Sequence, residues 1–484
     1  MSLAVALERE LPSRLPAGRG TVVFVVGTCW APGRRLTGLE IVVDGEAQPA
    51  SAFGMPRPDL GAAPPERRHG GFWATVVVAP RAGAPAVGLT LRARCEDGNE
   101  LSAELGTIEV AEPVPGPAAP PVPGPAAPPV PEPAAPAGAD TIAVCLATYE
   151  PDPALLKVQI RSLQEQTDRD WICLVSDDCS SAERRAGITA LIAGDDRFHL
   201  DASPQRLGFY RNFERALGMA PAQAGLVALC DQDDRWHPDK LATLRAALGD
   251  AVLVYSDQRL VDADGRLLRS TLWRGRSNNF SSLTSMLVAN TITGASMLLR
   301  RELLKLALPF PDTPGFQFHD AWLAVIALAC GDIAYVGRPL YDYVQHPGAV
   351  FGDVTHGSAG PRGTSWRAAY FHGYLGRRAQ AQVALSRGGA ALRPDKRRAL
   401  ERFVALETSP AGAIRLALRP LRQLAGRTET LGSEWGLAQG LAWKAATSAA
   451  ARHPRLAVGP LRDASIPPPG EFSQPRLRRW RARL

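Results

Sequence analysis

No Cys-x-x-Cys pair occurs among the seven cysteines, which stand at positions 29, 95, 145, 173, 179, 230 and 330. That spacing supports neither a zinc site nor a disulfide framework, and it fits a reducing compartment. The opening residues, Met1-Ser2-Leu3-Ala4-Val5-Ala6-Leu7-Glu8-Arg9-Glu10, lack the basic n-region and long apolar core of a secretory signal. Long hydrophobic runs are missing too. The longest, over 321–330, is about half of what a bilayer crossing needs. The expectation is a cytoplasmic protein that does not span a membrane. No recognisable nucleic-acid module is present, so nucleic acid is not an expected partner.

What remains is ordinary in bulk and uneven in distribution. The chain has 484 residues, 45% hydrophobic and 21% charged, enough for two or three domains with real cores. The net charge of +7 hides an asymmetry. Residues 365–484 hold 22 Lys and Arg against 7 Asp and Glu, or +15, which leaves −8 for the rest. A basic C-terminal third suits an anionic partner such as the inner face of the cell membrane. The plain alternative is a solvated helical cap.

Many of the 42 prolines fall in one segment. Residues 113–136 are three near-identical octapeptides, twice Pro-Val-Pro-Gly-Pro-Ala-Ala-Pro and then Pro-Val-Pro-Glu-Pro-Ala-Ala-Pro. Such repeats cannot pack a core and favour a semi-rigid polyproline II spacer, roughly 75 Å at most. This predicts a linker over 113–139 between independent domains.

Before it, residues 20–110 alternate in short strand-like runs. These are Thr21-Val22-Val23-Phe24-Val25-Val26, Leu39-Glu40-Ile41-Val42-Val43, Phe72-Trp73-Ala74-Thr75-Val76-Val77-Val78 and Leu89-Thr90-Leu91-Arg92-Ala93-Arg94. Val43-Asp44-Gly45-Glu46 carries a hairpin signal. An all-β sandwich is expected over 1–112. After the linker, apolar strands alternate with helical patterns, as in βαβ units, so 140–360 reads as an α/β domain with a mainly parallel sheet. From 361 to 484 the pattern is helical and arginine-rich, ending in Arg476-Leu477-Arg478-Arg479-Trp480-Arg481-Ala482-Arg483-Leu484.

The α/β segment carries chemistry-bearing loops at predicted strand ends. Asp231-Gln232-Asp233-Asp234 follows the apolar run Leu226-Val227-Ala228-Leu229-Cys230. Ligands of open α/β sheets bind just beyond such ends. Crowded carboxylates repel unless a cation holds them, and hard oxygen ligands suit Mg2+ or Mn2+, which would in turn hold a diphosphate. A solvated acidic turn is the alternative. Ala147-Thr148-Tyr149-Glu150-Pro151 follows the first strand, and Ser176-Asp177-Asp178-Cys179-Ser180 the second. Phe318-His319-Asp320-Ala321-Trp322 opens an apolar helix. Loops in this order converge on one cleft.

With these motifs the segment 141–352 resembles a family 2 glycosyltransferase with a Rossmann-like GT-A fold, in the rhamnosyltransferase-like branch. Further matching residues are Arg206-Leu207-Gly208-Phe209-Tyr210-Arg211-Asn212-Phe213, Asp231-Gln232-Asp233-Asp234-Arg235-Trp236, Thr293-Gly294-Ala295-Ser296-Met297 and Gln345-His346-Pro347-Gly348-Ala349-Val350-Phe351-Gly352. Ala349 departs from the family's Gln-His-x-x-Asn-x-x-Gly. The N-terminal sandwich resembles immunoglobulin-like modules of bacterial sugar-transfer proteins, through Gly27-Thr28-Cys29-Trp30-Ala31-Pro32 and Leu39-Glu40-Ile41-Val42-Val43-Asp44-Gly45.

The resemblance implies roles. Thr148, Tyr149 and Glu150 would line a nucleoside pocket, with Asp178 accepting the imide N–H of uracil or thymine. Arg206 and Asn212 would lie on the donor side. Asp231 and Asp233 would face a metal-bound diphosphate, Asp234 would be a ligand or an anchor, and His346 would touch the metal or the diphosphate. Trp236, His319 and Trp322 would border the sugar or acceptor, although both tryptophans could equally pack inward. Asp320 is the expected general base, because an acceptor hydroxyl must lose its proton as the new bond forms. For Asp178 and for His319-Asp320 the plain alternative is helix capping.

The implied activity is inverting, metal-dependent sugar transfer. A deoxyhexose such as rhamnose would pass from a dTDP- or UDP-linked donor to a cell-surface glycan or lipid-linked acceptor. A non-catalytic glycan-binding or scaffold protein with a decayed transferase domain is the alternative. A nucleotidyltransferase is disfavoured, since Ala-Thr-Tyr-Glu-Pro after the first strand is not a glycine-rich, basic loop.

Overall fold

The computed structural model describes residues 2–60, 63–80, 86–111, 141–273, 275–315, 318–346 and 365–452. The expected linker, the motif positions 347–352 with Ala349, and the tail 476–484 lie outside the described residues.

Two antiparallel-rich sheets form the N-terminal part. One runs Ala4–Leu7, Thr21–Trp30, Gly71–Val78, Ala52–Met55; the other runs Arg14–Pro16, Glu100–Ala111, Ala86–Cys95, Leu36–Val43, Glu46–Pro49. Alternating residues of both, such as Val23, Val25, Phe72, Leu39, Ile41 and Leu91, fill the core between them. The hairpin signal at 43–46 is realised. Val43 pairs with Glu46, and Asp44 (φ 47°) and Gly45 (φ 91°) both take the left-handed conformation that a two-residue hairpin turn requires.

The α/β part is built on seven main strands: β1 Ile142–Thr148, β2 Trp171–Asp177, β3 Phe198–Ala202, β4 Leu226–Cys230, β5 Leu253–Asp262, β6 Met297–Arg300 and β7 Ile333–Gln345. Their order is β3-β2-β1-β4-β6-β5-β7, with Arg235–Trp236 beyond β7. The sheet is mixed but mainly parallel, as expected: six of the seven strands run one way and β6 alone opposes them. β3, β2, β1 and β4 are parallel, whereas β6 is antiparallel to both β4 and β5. β6 is only four residues long, and an apolar run of that size leaves no record of its direction.

Helices α1 Pro153–Gln164, α2 Ala182–Ile192, α3 Phe209–Gly218, α4 Lys240–Leu248, α5 Leu283–Val288 and α6 His319–Cys330 accompany the strands. α1 starts where Asp152 accepts from the N–H groups of Ala154 and Leu155 and Pro153 takes the first turn. The register pairs Thr148 with Asp177 and Leu146 with Cys230, so the loops after β1, β2 and β4 leave one edge of the sheet.

Of the C-terminal helices α7 Gly376–Gly388, α8 Pro394–Val404, α9 Pro410–Leu418 and α10 Ser433–Arg452, α7 and α10 pack against both this domain and the sandwich. The sandwich is therefore not independent of the rest, as the proline-rich linker had led one to expect. Trp73 of the sandwich donates its indole N–H to the Tyr370 hydroxyl at 3.0 Å and stacks near Trp443. The guanidinium of Arg387 reaches the Gly20 carbonyl at 2.7 Å on one side and the carbonyls of Leu306, Ala307 and Pro309 on the other. A linker's composition reports only its own stiffness, not the docking of what it joins.

Candidate active site

The loop after β4 brings its three carboxylates into different surroundings. Asp234 is fully buried, accepts the Val344 N–H at 3.2 Å through Oδ1, and has no partner at Oδ2. Asp233 accepts from or shares a proton with His346, Nε2 to Oδ2 at 2.8 Å. Asp231 is half-buried, and loss of water together with the charges of Asp233 and Asp320 pushes its carboxyl up to about 7. Burial raises Asp234 well above the carboxylate range, and the Asp231 and Asp233 charges add to the effect. His346 is raised by its bond to Asp233.

Asp320 approaches the same cluster from the start of α6. Its Oδ1 accepts the Ala321 N–H at 2.6 Å, and Gly294 and Asn290 also donate to it. Burial outweighs these bonds and sets its carboxyl at about 7. A carboxylate of that basicity at neutral pH can take a proton from a hydroxyl.

Beside the acidic cluster, the β1 and β2 loops make a partly exposed wall. Tyr149 exchanges both backbone groups with the Gln232 amide, at 2.8 and 3.2 Å, and the Arg206 guanidinium lies 4.1 Å from the centre of the Tyr149 ring. Glu150 takes a positive φ of 41° and accepts the Ser181 N–H at 2.5 Å. Thr148 is buried and donates to Asp177 at 3.0 Å.

Residues 143–306 match the family model described as Glycosyl transferase family 2. The match covers about a third of the chain and marks this segment as a glycosyltransferase domain. The matched segment holds the loops after β1, β2 and β4; Asp320 and His346 lie beyond it. No curated protein matches the chain. Among solved structures, the chain is similar to S. aureus TarS 1-349 in complex with UDP-GlcNAc, at 16% identity and a TM-score of 0.41, over 65% of this chain and 92% of that one. It is also similar to the mannosyltransferase PcManGT from Pyrobaculum calidifontis in complex with GDP-Man and Mn2+, at 20% identity and a TM-score of 0.35, over 62% of this chain and 86% of that one.

Several residues of the glycosyltransferase domain stand differently from expectation. Asp178 does not offer a free carboxylate to a base. Its two oxygens accept the N–H groups of Leu207 and Gly208, at 2.5 and 2.8 Å. Asn212 is buried and clips β1 to β2 through the carbonyls of Thr148 and Ser176 and the Ser176 hydroxyl. It has no donor left for a ligand. Trp322 is fully buried and donates to the Ala307 carbonyl at 2.9 Å, so it is core and not a sugar platform. Trp236 is likewise core. His319 is buried, stacks on Phe213 at 3.9 Å, and has no partner at either ring nitrogen. Burial takes it down to about 3, so it is neutral. The fit is close: a Cβ on Gly294 would come within 2.5 Å of its Nε2.

Two residues were missed. Lys240 is fully buried at the start of α4, donates to the Ala295 carbonyl at 2.5 Å, and sits 3.4 Å from the centre of the Trp236 ring. Its charge acts on Asp231 and Asp234, and burial lowers it to about 7. A lysine at a helix start reads as solvated, so no signal pointed to it. Tyr343 of β7 feels all of Asp234, Asp231, Asp233 and Asp320, and burial with these charges raises its hydroxyl well above its ordinary value. Its spacing two residues before Gln345 was the available clue.

The acidic cluster suits a divalent cation in donor chemistry. It has hard carboxylate oxygens, an imidazole beside them, and a buried oxygen of Asp234 without a partner. Among the described residues, no three such side chains already converge as a metal cage.

Proposed function

We propose that the enzyme is an inverting, metal-dependent transferase using a nucleoside-diphosphate sugar. The observation that carries this reading is Asp320. Its carboxyl, held at about 7, opens α6 and acts electrostatically on Asp231 across the same sheet edge. A base on one side and an acidic, cation-attracting cluster on the other suit a single displacement. The acceptor hydroxyl gives its proton to Asp320, its oxygen bonds to the anomeric carbon, and the bond from that carbon to the diphosphate breaks with inversion.

Asp231 and Asp233, with His346 orienting Asp233, are the residues that would hold Mg2+ or Mn2+; Asp234 is better suited to anchor the loop from beneath. The cation would supply charge stabilisation to the leaving diphosphate. Tyr149, Glu150 and Arg206 would flank the nucleoside, with the Tyr149 ring as its platform. Thr148, Asp177 and Asp178 shape that wall from behind.

The donor is dTDP- or UDP-linked, with rhamnose as the first sugar to test, in keeping with the rhamnosyltransferase-like motifs. The acceptor is a cell-surface glycan or a lipid-linked precursor, reached from the cytoplasmic face of the membrane with the basic C-terminal region as the contact. The sandwich over 1–112 is an immunoglobulin-like accessory domain. Screening nucleotide sugars for donor consumption with Mn2+, Mg2+ or chelator tests the reading. Turnover of none of them, or turnover indifferent to chelation, contradicts it.

A further inference from the structure

The C-terminal region presents an inverted surface. α9 ends at Leu418 and continues as a 3-10 helix over Arg419–Ala425. In a 3-10 helix, residues three apart eclipse one another. That period sorts this segment into two rows. Arg419 and Arg422 face inward: Arg422 pairs at 2.8 Å with Glu429, Arg419 at 3.5 Å with Glu434, and both donate to the Ser285 hydroxyl. Glu429 and Glu434 are buried, so these arginines are spent inside the fold. Leu418, Leu421 and Leu424 form the outer row.

The exposures are large: Ile414 60%, Leu418 54%, Leu421 57% and Leu424 88%. Scattered apolar residues on a surface need no explanation, but four aliphatic side chains in one row do. Arg415 and Arg427 flank the row, exposed and without an ion pair among the described residues.

We infer that the face made by Ile414, Leu418, Leu421 and Leu424 inserts into the headgroup region of an anionic lipid bilayer. This deepens the membrane contact of the proposed function by naming the surface that makes it, and it rests on that reading only for the kind of acceptor served. An apolar row with flanking arginines has the composition of an interfacial helix. The charge of residues 365–484, 22 basic against 7 acidic, favours an anionic surface. It opposes a second copy of this chain, which would bring two strongly basic regions together. The leucines, and not Arg419 or Arg422, supply the contact.

The test is sedimentation of the full chain with phosphatidylcholine vesicles, with and without phosphatidylglycerol. The wild-type chain is expected to bind and to prefer the phosphatidylglycerol vesicles. The triple variant Leu418→Ser/Leu421→Ser/Leu424→Ser should lose roughly tenfold in partitioning for each leucine. Arg415→Ala/Arg427→Ala should lose about fivefold per arginine on the anionic vesicles alone. All substituted side chains are exposed, so folding and donor hydrolysis without lipid should be unchanged.

Wild-type protein that ignores both vesicles, or a leucine variant that binds as well as wild type, overturns the inference. So does lipid-free self-association that the leucine variant abolishes, since the occupant is then a second copy. Failure of every donor to turn over would defeat the transferase reading and leave the vesicle result standing.

Discussion

His346 Nε2 lies 2.8 Å from Asp233 Oδ2, a contact that joins the end of β7 to the loop after β4 across 113 residues of sequence. It orients Asp233 from outside the proposed cation site. Asp233→Ala is expected to abolish the response of donor turnover to added Mn2+ or Mg2+. His346→Ala should raise the metal concentration needed by about 10–100-fold and leave turnover at saturating metal nearly intact. Metal titrations of both variants check this, and an unaltered response in Asp233→Ala removes that residue from the site.

Asp320 couples activity and stability in opposite directions. Its folded-state value of about 7 lies above the ordinary 3.8. Between these values the folded chain holds a proton that the unfolded chain has released. Its contribution to stability is therefore present below 3.8 and lost as pH rises to about 7. Catalysis needs the deprotonated form, so transfer should rise with pH and level off above about 7. Asp320→Asn should lower transfer by about 10²–10⁴-fold and raise the melting temperature at pH 8. An active Asn variant would move the base elsewhere. A variant that is inactive and also destabilised at pH 8 would make Asp320 structural.

Lys240 acts electrostatically on the cluster from within the core. Its amine is packed on Trp236 and Tyr341, and in its charged form it favours the ionised forms of Asp231 and Asp234. Lys240→Met keeps most of the volume and removes the charge. It should cost about 1–3 kcal/mol in urea unfolding, because the Ala295 carbonyl loses its donor. A change within about 0.5 kcal/mol, the usual range for surface sites, would mean the donor is not needed there.

Grouping was more legible in the sequence than orientation. Acidic residues straight after apolar runs marked Asp178 and Asp231–Asp234, because strand direction puts whatever follows a parallel strand at the sheet edge. Which atoms face the cleft is decided by neighbours far along the chain. Asp178 is turned to the 207–208 amides and Asn212 to β1 and β2, and nothing local foretells either. In a solvated helical cap Arg419 and Arg422 would face water, yet they point inward to glutamates 15 and 7 residues later, respectively, while the leucines point out. Only the 3-10 period, visible in the backbone, separates the two rows.

Arg206 over Tyr149 gives a binding prediction distinct from the chemical ones. The pair is exposed and lies beside the acidic cluster without touching Asp320. Tyr149→Ala and Arg206→Ala should raise the donor KM by roughly 3–30-fold, the range of a cation–π or stacking contact, and change kcat little. Equal losses in kcat and kcat/KM would put these residues in the transition state instead.

Asp178 separates recognition of the base from support of the loop. Its two oxygens satisfy two partly buried N–H groups, those of Leu207 and Gly208. Asp178→Asn keeps the shape but turns one acceptor into a donor, which leaves an N–H facing an N–H. That should cost about 1–3 kcal/mol of stability and loosen the loop carrying Arg206. Donor affinity should then fall by similar factors for uridine, thymidine and guanosine diphosphates in a competition assay. Loss confined to uridine and thymidine would mean that the carboxylate reads the base after all, through lone pairs that the two amides leave free.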